Sequence, residues 1–160
     1  MDKIIKNLDL GAKGIWLPIV IACILLLYIV FMEKKAMKWR EIYITIGVVG
    51  LMTWVADNIF ADFLDLVDFG DSTISGLGEM ITYTFIPSSL AVIYLNYLKN
   101  DRKWGLVLLF ILLSLTVEGT VTAIGYMKQN HWNLLFSIPI YFIVYYYYLP
   151  LHRNWIACEK

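Results

Sequence analysis

Five long apolar stretches alternate with short polar ones along the chain. They cover residues 15–32, 42 to about 60, 80–98, 104–126 and 132–151. A helix crossing a hydrocarbon layer of about 30 Å needs roughly 20 such residues. Runs such as LVLLFILL at 106–113 show no two-residue alternation, so barrel strands are not expected. Backbone exposed to lipid must satisfy its own hydrogen bonds, which excludes isolated strands. The pattern predicts an all-α transmembrane bundle of about five helices. A 1–14 segment precedes the 15–151 membrane domain, and a 152–160 tail follows it. With Ile4, Ile5 and Leu8 on one side, the first segment suits a short interfacial helix.

Tryptophan supports these boundaries, because indole prefers the headgroup region. Trp16, Trp39, Trp104, Trp132 and Trp155 fall at or just beyond predicted ends, and only Trp54 lies inside a span. Composition agrees. Hydrophobic residues make up 60% of the 160, and charged ones 16%, against about 25% in soluble domains. A soluble core of this size could not hide so much apolar surface. Soluble-enzyme, nucleic-acid-binding and disordered classes are thereby excluded.

The formal net charge of zero conceals a vertical asymmetry. Nine of the 13 Lys and Arg lie in the loops after the first and third helices and in the tail; Lys3, Lys6, Lys13 and Lys128 lie on the other side. The excess of cations in cytoplasmic loops places the N-terminus outside and the C-terminus in the cytoplasm of a cell membrane. Cys23 and Cys158 fall at different depths, so no disulfide is expected.

Residues 42–98 contain no Lys or Arg, but hold Asp57, Asp62, Asp65, Asp68, Asp71 and Glu79. The spacing 62, 65, 68, 71 spreads carboxylates around half an α-helix. They gather only if the segment is 3₁₀ or a loop. Two readings stand: a solvated acidic loop, or a divalent-cation site built from Asp62, Asp65 and Asp68 with His131, since hard cations take oxygen ligands. The DxxDxxD spacing lacks nearby basic residues for a diphosphate, which argues against prenyl transfer.

Asp57 and Glu118 both fall about 21–23 Å from the cytoplasmic ends of their helices, at about 1.5 Å per residue. An ionisable group at that depth usually faces the bundle interior or a wet cavity. Ser114, Glu118, Thr122 and Gly125 share one helix face; Trp54, Asp57 and Asn58 share another. Pro87 and Pro139 free the carbonyls of Tyr83 and Leu135, with Ser88, Ser89 and Ser137 near enough to satisfy some of these groups. Together these features predict an outward-facing acidic pocket lined by Asp57, Asn58, Glu118 and Thr122, with Glu79 at its rim. Such a pocket suits a proton or small cation. The competing reading makes Glu118 a hydrogen-bonded packing residue, since polar groups join membrane helices. The four tyrosines at 145–148 read as an interfacial aromatic belt.

Residues 131–142 (HWNLLFSIPIYF), following a helix with a central Glu118, resemble the last two helices of a family of small multi-spanning membrane proteins. Members occur in spore-forming bacilli and clostridia. The WVADN stretch at 54–58 and the helix bearing Pro87 resemble the family's middle helices. The resemblance implies the fold and the membrane location and carries no activity.

Function divides three ways. Small size, short loops and no nucleophile constellation favour a non-enzymatic accessory or binding protein. Gly119 and Ala123 give it a small-residue surface for a homo-oligomer or membrane-protein partner. Asp57 and Glu118 at matched depth favour a proton- or cation-linked transporter or channel, against which the odd helix count weighs. A lipid-acting enzyme comes third, since HExxH, GxSxG and paired-His motifs are absent. No phosphate loop or basic aromatic patch suggests a nucleic acid.

Overall fold

The computed structural model describes residues 8–70, 76–99 and 103–157. Asp71, Arg102 and Cys158 lie outside them, as does the 1–7 part of the expected interfacial helix. Among the described residues, five helices alternate in direction: α1 Trp16–Phe31, α2 Trp39–Asp57, α3 Leu77–Tyr97, α4 Lys103–Ile124, and α5 Leu134–Ile156. Two of these rods loosen into π-helical turns. One extends α2 over Asn58–Phe63, and the other interrupts α5 at Val144–Tyr148. The all-α bundle expected from the apolar runs is present.

Among the described residues, three rods are long and apolar enough to cross a membrane: Trp39–Phe63, Lys103–Ile124 and Leu134–Ile156. The α1 helix is apolar but has 16 residues. Large apolar side chains cover the outside of the bundle. Phe31, Tyr43 and Phe63 are 80–85% exposed, and Ile24, Leu112 and Leu135 are also exposed. A water-soluble chain rarely leaves such a continuous apolar surface uncovered.

Helix α3 is the centre of the bundle. It packs against α1, α2, α4 and the last segment of α5. Its residues Val92, Tyr94, Leu95 and Asn96 are almost wholly buried. Protein shields it on several sides, so it tolerates Thr82, Tyr83, Thr84, Ser88, Ser89 and Asn96 without facing lipid. Its Pro87 frees the Tyr83 carbonyl as expected, but the rescuing donor is Thr53 of α2, whose hydroxyl reaches that oxygen at 2.6 Å. The nearby Ser88 hydroxyl is occupied by the carbonyl of Thr84 in its own helix. Trp54 adds a second α2–α3 link, its indole N–H donating to Thr84 at 2.9 Å.

A short antiparallel ribbon crosses one end of the bundle. Strand β1 Val67–Phe69 pairs with β2 Met127–Gln129, placing Asp68 opposite Lys128. Neither strand has more than three residues, too few to show an alternating pattern. Val67 and Met127 turn inward onto Val121 and Tyr126, forming a small second core. The aromatic belt expected at 145–148 is only partly one. Tyr147 is exposed, but Tyr145 is 4% exposed and belongs to the main core.

The chain enters α1 through Gly14, at φ +82°. A Cβ there would sit 2.5 Å from Ile124 Cγ2 and 3.3 Å from Tyr126 Cβ. Left-handed backbone disfavours a side chain, and overpacking adds to the cost. Gly14→Val is therefore expected to destabilise the fold by about 2 kcal/mol, read as a lower midpoint of SDS-driven unfolding in mixed micelles. An unchanged midpoint would show that the α1 entrance is not fixed by this turn.

Candidate functional site

Helices α4 and α5 form an antiparallel hairpin, and Glu118 stands where they face each other. Ser137 and Tyr141 are four residues apart, on one side of α5. The Ser137 hydroxyl donates to Glu118 Oε1 at 2.8 Å, and the Tyr141 hydroxyl donates to Oε2 at 2.8 Å. Behind Ser137, the Trp132 indole N–H donates to its Oγ at 3.0 Å. An indole nitrogen can only donate, so this contact leaves the serine proton free for Glu118. The N-cap fixes the start of α5: Asn133 Oδ1 accepts from the Leu135 N–H at 2.9 Å. Each carboxylate oxygen of Glu118 is thus held by one hydroxyl.

Glu118, Ser137 and Tyr141 lie on the wall of a cavity of about 350 Å³. The cavity runs from Val67, Phe69 and Met127 under the ribbon to Tyr148 and Leu149 in the lower part of α5. Its walls are mostly apolar and aromatic, from α2, α3, α4 and α5. Ser114 and Tyr145 also line it, with their hydroxyls 2.8 Å apart. A concave apolar space with a few convergent polar groups is the usual form of a small-molecule site.

The other residues of the expected pocket take different places. Asp57 is 6% exposed and faces the Tyr83 hydroxyl of α3. Neither Asp57 Oδ1 nor the Tyr83 hydroxyl completes a hydrogen bond of normal geometry. Asp57 is absent from the cavity lining, whereas its neighbours Ala56 and Phe60 are present. Asn58 is exposed and turns its amide back to the Trp54 carbonyl at 2.7 Å. Thr122 donates to the Glu118 backbone carbonyl at 2.9 Å. Glu79, in the first turn of α3, interacts electrostatically with Tyr83 and Tyr126. Of the five, only Glu118 lines the cavity.

The acidic stretch is not an α-helix. Asp62 lies in the π-helical turn, Asp65 adopts φ +50°, and Asp68 lies in β1. Asp65 and Asp68 converge on one donor, the Asn130 amide, at 3.2 and 3.0 Å. His131 is exposed beside them, its backbone N–H bonded to the Leu66 carbonyl. Among the described residues, no three His, Cys, Asp or Glu side chains lie close enough together to hold a metal ion. For the divalent-cation reading, Asn130 occupies the position between two of the expected ligands.

No local pattern marks Ser137 and Tyr141 as partners of Glu118. Ser137 lies near Pro139, where a hydroxyl is expected to serve freed backbone, and Tyr141 sits in an apolar run. The available signal was their four-residue spacing on the helix that follows Glu118 in a hairpin. No family model, curated protein or solved structure matches the chain.

Proposed function

We propose that this is a non-enzymatic multi-spanning membrane protein that binds a lipid-soluble ligand in the cavity beside Glu118. Glu118 carries the reading: a carboxylate held by two hydroxyl donors on the wall of an otherwise apolar space. Beyond joining α4 to α5, Glu118 is also part of the cavity wall. The cation asymmetry supports an orientation with the ribbon end and N-terminus outside and the C-terminus in the cytoplasm.

The test is native mass spectrometry of the protein released from mild detergent. Wild-type protein is expected to carry an adduct of lipid-like mass. Ile140→Trp, which fills the cavity from α5, is expected to lose it. Equal adducts on both proteins would move binding to the outer surface and defeat the reading.

A second reading, proton- or cation-linked transport, draws on Asp57, whose buried Oδ1 lacks a hydrogen-bond partner. It requires ion flux into proteoliposomes that falls in Asp57→Asn. Unaltered flux in that variant would remove it.

A further inference from the structure

The cavity also bears on the chemical class of its occupant, and the inference here rests on the binding reading above. We propose that the site takes a lipophilic cation, an apolar or aromatic body carrying one positive charge, which arrives sideways from the bilayer between α2 and α5.

The first argument is charge. Both oxygens of Glu118 already accept a hydrogen bond, but neither donor carries a charge. Among the described residues, no Lys, Arg or His lies within ion-pair distance of Glu118. A cation is the missing partner, and in a medium of low dielectric its attraction to a carboxylate is far stronger than in water. An anionic ligand would meet that same carboxylate as repulsion. A neutral apolar ligand would fill the space without using it.

The second argument is the lining. Trp132, Tyr141, Phe60, Tyr83 and Tyr145 all contribute to the walls. Phe60 and Trp132 have centroids 5.3 Å apart, which puts one aromatic pair on the same wall as the clamp around Glu118. Ring faces attract a desolvated positive charge, and such contacts favour poorly hydrated, delocalised cations. Aromatic walls with one carboxylate select charge and apolar bulk together.

The third argument is access. Helix α2 packs on α3, and α5 packs on α4. Near the cytoplasmic end, α2 and α5 meet through Thr45 and His152, whose side chains bond at 3.1 Å. Above that point the cavity lies between these two rods, with Met52 and Thr53 on one side and Ile140 and Val144 on the other. The ribbon residues Val67, Phe69 and Met127 line its outer end. The seam between α2 and α5 therefore faces the lipid, where hydrophobic cations concentrate.

Three probes of similar shape separate the possibilities: tetraphenylphosphonium, uncharged tetraphenylmethane and anionic tetraphenylborate. Full-length protein in phosphatidylcholine nanodiscs is dialysed against each, with protein-free nanodiscs as the blank. The phosphonium is expected to bind at least about tenfold more tightly than the neutral probe, and the borate not to bind above the blank. Glu118→Gln is expected to bring the phosphonium to the level of the neutral probe, and Glu118→Asp to keep the preference. Equal binding of phosphonium and neutral probe to wild type overturns the cation class and leaves the cavity reading standing. No probe binding above the blank overturns both. The wild-type comparison decides the class even if Glu118→Gln does not fold.

Discussion

Replacing Asn96 with Leu is expected to lower stability by about 4 kcal/mol, the sum expected when several buried backbone groups lose their partner. Asn96 is 1% exposed on α3 and ties the connection between α1 and α2 to that helix. Its Oδ1 accepts from the backbone N–H groups of Lys35 and Ala36, at 3.0 and 3.2 Å. Its Nδ2 donates to the Glu33 carbonyl at 2.8 Å. Leucine keeps the branched outline and the number of side-chain heavy atoms, but it is bulkier and leaves these three groups without that partner. The measurement is SDS-driven unfolding in mixed micelles. A cost below about 1 kcal/mol would mean that water replaces the amide at this end of the bundle. Lys34 makes a useful comparison because it also closes this region. Its ammonium donates to the carbonyls of Ile29, Val30 and Met32, but from a more exposed position where water can substitute.

Helix positions are legible in the chain for a physical reason. A bilayer imposes a length on every apolar run, and indoles mark where the run meets the headgroups. Trp39 and Trp104 indeed sit within the first two residues of α2 and α4. Depth along an axis was legible for the same reason. Rotation about that axis and the order of the helices in cross-section were not. Equal depth suggests one pocket for Asp57 and Glu118, but Asp57 faces Tyr83 on α3 while Glu118 faces Ser137 and Tyr141 on α5. Helix-level periodicity says which residues share a face and never which neighbour that face meets. Thr53 shows the same limit: its hydroxyl reaches the carbonyl that Pro87 frees on another helix. The ribbon escaped for a different reason. Three-residue strands bury Val67 and Met127 through pairing with each other, which no local pattern announces.

Tyr145→Ala is expected to cost about 3–5 kcal/mol, in the range for removing a large buried ring. Tyr145→Phe is expected to cost only about 1 kcal/mol, the net value of one hydrogen bond. The ring packs between Tyr94 and Phe110, with centroids 5.1 and 5.7 Å away. Its hydroxyl meets Ser114 at 2.8 Å, and its backbone carbonyl accepts from the Tyr94 hydroxyl at 2.6 Å. Phenylalanine removes the first hydrogen bond alone, because the second uses the main chain. Alanine also removes the packed ring. Interfacial tyrosines would give small and similar losses, so the ratio of the two costs in one SDS unfolding series distinguishes a core residue from a belt residue. The position has a second consequence, because Tyr145 lines the cavity. Alanine enlarges the space without touching Glu118, Ser137 or Tyr141. If the cavity holds the ligand, Tyr145→Ala will admit a bulkier apolar body while keeping the preference set at Glu118. Loss of stability with no change in the size of ligand accepted would separate the core at Tyr145 from the binding space above it.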